Sequence, residues 1–212
     1  MTVFNQDLLF GMFKNSAKNI LKQVPYLNKL DGKTGDGDHG TTMLRVCHCV
    51  EDAMTQDLGD WNKQVDDLGW AILSQDGGSA GMLVGNLFIG LGSGLVEQEL
   101  APSQVAAAFR AGLDRMMQFS GAHQGEKTMF DTLIPAIEAL EKQAIEGASI
   151  EVMFELAAQS AREGAEATKD MIPTRGRAKN MGKKAVGFID PGATSMAILF
   201  ESFNQFIQTR NG

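Results

Sequence analysis

The chain has 212 residues, 43% of them hydrophobic and 21% charged, and carries a formal net charge of −7. Such a length buries a sizeable core, and the acidic balance argues against a broad nucleic-acid or anionic-membrane surface while leaving room for a local basic patch. No apolar run approaches the length of a membrane span, and the first residues, lacking a basic region and a long apolar stretch, do not read as a signal peptide.

In chain order, apolar residues recur at helical spacing from Asn5 to Leu30, through Leu8, Leu9, Met12, Phe13, Ile20, Leu21 and Val24. Pro25 should bend or end that helix. Weaker helical patterns cover Thr41 to Ala53 and Val65 to Ser74. Gly81 to Leu95 is apolar and interrupted by glycine, which predicts a buried helix built around a small-residue contact. Amphipathic helices then follow over Gln104 to Phe119, Lys127 to Ala144, Ile150 to Asp170 and Ala193 to Gln208. No alternation of apolar and polar residues suggests a sheet. The simplest architecture is all-α, with about eight helices joined by short loops. With no low-complexity linker and no internal repeat, residues 1–212 read as one domain. Cys47 and Cys49, two apart, should point to different faces of a helix; they suit a reducing cytoplasm and neither a disulfide framework nor a zinc site.

Glycines cluster between the helices, at Gly32 to Gly40, Gly77 to Gly81, Gly121 to Gly125, Gly176 to Gly187 and Gly192. A plain bundle needs little more than one glycine per helix end. The excess suggests several loops whose backbones approach a common ligand.

The first cluster holds Asp31, Asp36 and Asp38, followed by His39. Three neighbouring carboxylates repel one another unless a cation sits between them, and hard oxygen donors select Mg²⁺ or Ca²⁺. An EF-hand beginning at Asp36 would need an oxygen side chain where Gly40 stands and Glu where Cys47 stands; beginning at Thr34 it would meet Arg45 instead of Glu. That reading is rejected. Carboxylates that leave coordination open suit Mg²⁺ bridging phosphate oxygens. A solvated acidic turn ahead of a helix at Thr41 is the alternative.

The other clusters are weaker alone. Asp76 to Gly81 leads into an apolar helix, whose first N–H groups form an anion site. Gly121 to Met129 fails as a P-loop, because three residues separate its glycines, Glu126 precedes Lys127, and no strand leads into it. It can equally be a helix start with Glu126 in the first turn. Thr174 to Lys184 is the densest basic stretch, either a solvated loop or the source of a cation for a phosphoryl group in flight. Asp190 can cap a last helix with Pro191 at its first position, and such a start can also face a nucleotide.

Taken together and in order, Asp31 with GDGDHG, then GGSAG, GEKTM, GRA and DPGATS resemble one family, the L subunit of dihydroxyacetone kinase, also found as the C-terminal domain of single-chain dihydroxyacetone kinases. The likeness runs from residue 31 to 195. It implies a barrel of eight antiparallel helices with ADP or ATP at one end. It assigns Asp31, Asp36 and Asp38 to two Mg²⁺, and His39, Gly40, Thr41 and Thr42 to phosphate. Gly77, Gly78, Ser79 and Ala80 match the phosphate loop, Gly121 and Met129 the adenine pocket, and Asp190, Pro191 and Gly192 the nucleotide-side loop. Arg177, with His39, falls to the transfer chemistry. Two positions depart from the family: Ser79-Ala80 replaces the commoner Ala-Ser, and Thr42 stands where some relatives carry Asn.

The resemblance also implies partners. A short ketose is held on a separate K subunit, and a phosphotransferase-system M subunit phosphorylates ADP retained as a cofactor. The alternatives are an ATP-dependent kinase of dihydroxyacetone or erythrulose, and a nucleotide-sensing regulator without enzymatic activity. A homodimer is compatible with all of them.

Overall fold

The computed structural model describes residues 2–55 and 59–210. Eight α-helices carry the described fold: α1 (Gln6–Thr34), α2 (His39–Ala53), α3 (Trp61–Leu73), α4 (Gly78–Ser93), α5 (Pro102–Ser120), α6 (Phe130–Ile145), α7 (Ile150–Ala167) and α8 (Pro191–Arg210). Each packs on the next, and α8 returns to pack on α1, so the helices close a ring. The expected all-α barrel is what forms. One detail differs: β1 (Phe4–Asn5) and β2 (Glu99–Leu100) pair antiparallel as a two-residue ladder, too short to show as alternation in sequence.

The ring closes because its helices present small residues where backbones meet. A Cβ on Gly69 would lie 2.7 Å from the Gly85 carbonyl, and one on Gly90 would lie 2.7 Å from the Cα of Gly112. Thus α4 sits between α3 and α5 at a distance only glycine permits, as the glycine-interrupted apolar run predicts. Inside the ring, aromatic side chains fill the space. Phe13 meets Phe88 edge-on at 5.1 Å, and Phe109 meets Phe154 at 5.5 Å. The void between them, about 10 Å³, is no larger than one water.

Pro25 does not end its helix. Helix α1 runs through Pro25 to Thr34. Pro25 lies on its exposed side, where the carbonyl left without an amide donor can meet water. Both Cys47 and Cys49 are buried, because α2 touches α1, α3, α4 and α8 rather than one neighbour. Burial pushes the Cys47 thiol up to about 12.

Helix ends reveal the barrel's polarity. At α1, α3 and α7, Asn5, Asp60 and Ser149 accept a backbone N–H from the first turn. The N-termini of α2, α4, α6 and α8 gather at the other end, around one cleft.

Candidate functional site

That cleft has a volume of about 770 Å³, within the range of small-molecule and cofactor sites. Its walls come from the C-terminal turns of α1 and α5, the first turns of α2, α4, α6 and α8, and the segment 174–179. Every loop that the glycine clusters single out contributes to it.

One wall is acidic. Asp31 on the last turn of α1 accepts the N–H groups of Asp38 and His39 through Oδ2, at 2.9 and 3.2 Å. This cross-connection caps α2 from outside, since Asp38 supplies no side-chain cap of its own. It also folds the loop so that Asp31, Asp36 and Asp38 each offer an oxygen within 4.8 Å of the others. The crowding has an electrostatic cost: burial first, then Asp36 and Asp31, raise the carboxyl of Asp38 above its ordinary range. A divalent ion at the convergence of these oxygens would reverse that cost. Hard oxygen donors with coordination left open fit Mg²⁺. Asn28, on α1, secures the same corner, accepting the Thr41 N–H at 3.0 Å and donating to its hydroxyl at 3.2 Å.

Opposite lies the start of α4. Gly77 provides no side-chain cap, and among the described residues no hydrogen bond engages the N–H of Gly78, Ser79 or Ala80. These donors and the helix dipole favour an anion there. Gly78 has φ +54, which glycine adopts without strain. Arg45 donates to the carbonyl of Asp76, tying this loop to α2.

His39 is buried beside the acidic wall. Its Nε2 lies 3.0 Å from Ser195 Oγ, and that hydroxyl donates to the Gly192 carbonyl at 2.9 Å. Ser195 therefore accepts, so Nε2 carries the ring proton of a neutral imidazole. Burial lowers the imidazole from 6.5 to about 4. The folded state thus binds fewer protons than the unfolded one, and stability falls as pH drops from 6.5 towards 4. The expected loss is on the order of 3 kcal/mol. NMR titration of the ring should show no protonation at pH 6. In urea melts, His39→Gln should flatten the stability slope across that window; an unchanged slope would remove His39 as its source.

The third wall is held by contacts far apart in sequence. Asp131 accepts from the N–H groups of Gly125 and Thr128 and shapes the turn before α6. Glu126 does not fall in the first turn of a helix, which corrects the expectation from sequence: α6 begins only at Phe130. Its carboxylate receives the N–H of His123 at 2.8 Å and Nε of Arg175 at 2.7 Å. Arg175 also donates to the Ser120 and Gly121 carbonyls. It is a brace rather than a free cation. Arg177 instead reaches the acidic wall, with Nε 2.7 Å from Asp36 Oδ2. Asp190 caps α8 by accepting the Ala193 N–H at 2.7 Å, as the Asp-Pro pair predicts. Burial lifts its carboxyl to about 7, against the pull of that N–H and of Lys127.

Of the residues singled out in sequence, Asp31, Asp36, Asp38, His39, Thr42, Gly77 to Ala80, Met129, Arg177, Asp190, Pro191 and Gly192 line the cleft. Gly40, Thr41 and Gly121 stand just behind its wall, engaged with Val24 and Asn28 or with Arg175. Sequence reasoning missed Asn28, Arg45, Lys127 and Asp131, whose roles come from partners distant in the chain.

Residues 33–205 match the DAK2 domain family. The chain is 33% identical over 181 residues to the ADP-binding subunit DhaL of the PEP-dependent dihydroxyacetone kinase of Escherichia coli, covering 83% of this chain and 85% of that one. It is 27% identical to the corresponding subunit of PEP-dependent dihydroxyacetone kinase 1 of Listeria innocua, over 95% of this chain and 97% of the other. A D-erythrulose kinase of Mycolicibacterium smegmatis is 35% identical over 90% of this chain, which spans only 34% of that enzyme's length. Among solved structures, the dihydroxyacetone kinase of C. freundii in complex with AMP-PNP and Mg²⁺ superposes with a TM-score of 0.75 at 26% identity, over 97% of this chain and 35% of that one.

Proposed function

The chain belongs to the DAK2 domain family, and from that premise we propose that it is the ADP-binding, phosphoryl-transfer subunit of a dihydroxyacetone kinase, a phosphotransferase with an alcohol acceptor. The observation that carries the reading is a charge arrangement. Three converging carboxylates face the uncapped N–H groups of Gly78, Ser79 and Ala80 across one cleft. Neither half alone suits a nucleotide diphosphate, but together they suit one that brings divalent cations.

In this reading Asp31, Asp36 and Asp38 hold two Mg²⁺, which supply charge neutralisation on the phosphate oxygens and a fixed geometry. The α4 N–H groups receive phosphate oxygens opposite. Arg177, with a reach that now ends on Asp36, stabilises charge that develops on the transferring group. His39 stays neutral and, through Ser195, joins the α2 start to the α8 start, so that both sides of the site keep register. Phe119, Ala122 and Met129 offer an apolar slot on the same cleft, suited to the base.

The phosphoryl donor is taken to be a phosphotransferase-system M subunit and the acceptor dihydroxyacetone on a K subunit. The PEP-dependent DhaL subunits among the relatives support this reading over a self-contained ATP-dependent kinase. The erythrulose kinase relative keeps erythrulose as the second acceptor to test. Protein purified without added nucleotide and then denatured should release about one ADP per chain, and should move phosphate from phosphorylated M to the ketose only when K is present. Activity with ATP and K alone would favour the exchangeable-nucleotide version, and no nucleotide binding at all would defeat both.

A further inference from the structure

Lys127 is buried, with 2% of its surface exposed, although it sits beside an open cleft. It is also the one non-glycine residue among those described with positive φ, at +61. A lysine kept in a conformation that glycine would adopt more easily implies that its side chain is used. The ammonium donates to the carbonyls of Thr168 and Phe188. These two residues are the feet of the basic segment that carries Arg175, Arg177 and Lys179.

The feet are already tied to each other. The Gly187 N–H donates to the Lys169 carbonyl at 2.8 Å, and the Asp190 N–H donates to the Thr168 hydroxyl at 2.9 Å. Those bonds close the base of the loop between the end of α7 and the start of α8. Lys127 ties both feet to the 121–129 turn, which also holds the loop further along, at Thr174 and Arg175. Its neighbour Glu126 grips Arg175 from the same turn. By contrast, the contact at the tip, Arg177 to Asp36, is weak as an anchor. Its guanidinium side chain is 70% exposed, and such pairs contribute little to holding a chain segment.

We propose that Lys127 is a positioning residue, clamping both feet of the 168–188 loop to the turn before α6 so that Arg177 stands over the acidic cluster. This rests on the nucleotide reading above for its consequence, though not for the clamp itself. Its ammonium is engaged by the two carbonyls, so in this proposal Lys127 acts through Arg177.

The test is a double-mutant cycle on the full chain with two readouts, Mg²⁺–ADP affinity by calorimetry and amide hydrogen exchange. Lys127→Met should weaken Mg²⁺–ADP about tenfold through misplacement alone, and should raise exchange in 171–187 while leaving 130–145 protected. In an Arg177→Ala background the same substitution should cost less than about twofold, because the group it positions is gone. A full tenfold loss in that background, or unchanged exchange in the loop, would overturn the proposal. Should Lys127→Met fail to fold, Glu126→Gln loosens the same loop from the same turn. It should give a smaller loss that also disappears when Arg177 is alanine, and an undiminished loss there would again overturn the clamp. Wild-type protein that binds no Mg²⁺–ADP would defeat the nucleotide reading, and the exchange readout would still decide the clamp.

Discussion

Replacing Asp38 with alanine is expected to abolish Mg²⁺-dependent nucleotide retention, weakening ADP binding on the order of a hundredfold or more, since even groups supporting a metal ligand matter tenfold to a hundredfold. The physical case is the convergence of three carboxylate oxygens within 4.8 Å. Removing one leaves the ion fewer ligands and the diphosphate an electrostatic field with two bare carboxylates. The same substitution makes a second, opposite expectation. Asp38 has a raised carboxyl pKa, caused by burial and then by Asp36 and Asp31. A raised pKa means the fold disfavours the ionised form, so this charge subtracts stability once pH exceeds its unfolded value. Without divalent ions at neutral pH, Asp38→Ala should therefore melt no lower than the parent. With Mg²⁺ and ADP added, only the parent should gain. Calorimetry and thermal melts across this crossing check both signs. Retention of ADP by the variant would remove the metal assignment.

The second large effect concerns Gly40, which the cleft does not touch. A Cβ there would lie 2.2 Å from the Val24 carbonyl oxygen and 2.7 Å from Asn28 Oδ1. The first obstacle is backbone, so no rotamer can relieve it. Gly40→Ala must push the start of α2 off α1, at an expected cost of about 1–3 kcal/mol, or roughly 2–10 °C in Tm for a chain of this size. The displaced residues would include Asp38 and His39, so ADP retention should fall as well. Gly32→Ala is the control: its Cβ would meet nothing nearer than Gly37 Cα at 3.9 Å, and alanine favours a helix. It should be neutral or slightly stabilising. If Gly40→Ala melts with Gly32→Ala, the close approach of α1 and α2 is not what fixes the acidic corner.

Much of this site is legible in the order of the amino acids, for a definite reason. Helical periodicity and cap chemistry are local, so Leu8 to Val24 announces α1 and the Asp190-Pro191 pair announces α8. Glycines in excess of helix ends likewise mark loops that face one place. What stays hidden is whatever depends on a partner far along the chain. Lys127 stands in sequence only as the lysine of a failed P-loop and of GEKTM, with no role until Thr168 and Phe188 meet it. Arg175 and Arg177 look equivalent in a basic stretch, yet one is locked onto Glu126 and the other extends to Asp36. Glu126 itself is ambiguous, because a favourable first-turn acid and a loop brace have the same local sequence. Pro25 does not end α1: it lies on the exposed side, where the carbonyl it leaves without a donor can be hydrated.

The direction of the outer helices has a practical corollary. Helix α1 ends at the cleft and α8 begins there, so Gln6 and Arg210 both lie at the floor of the molecule, about 30–40 Å below the mouth of the cleft by helix rise. A tag, tether or companion module fused at either extremity would hang from the underside and leave the opening unobstructed. Conversely, a ketose-bearing module spliced in series with this one could not simply fold over onto the opening with a short connector. It would need a tether that climbs the whole wall, or it would be served by the mouth of a neighbouring copy.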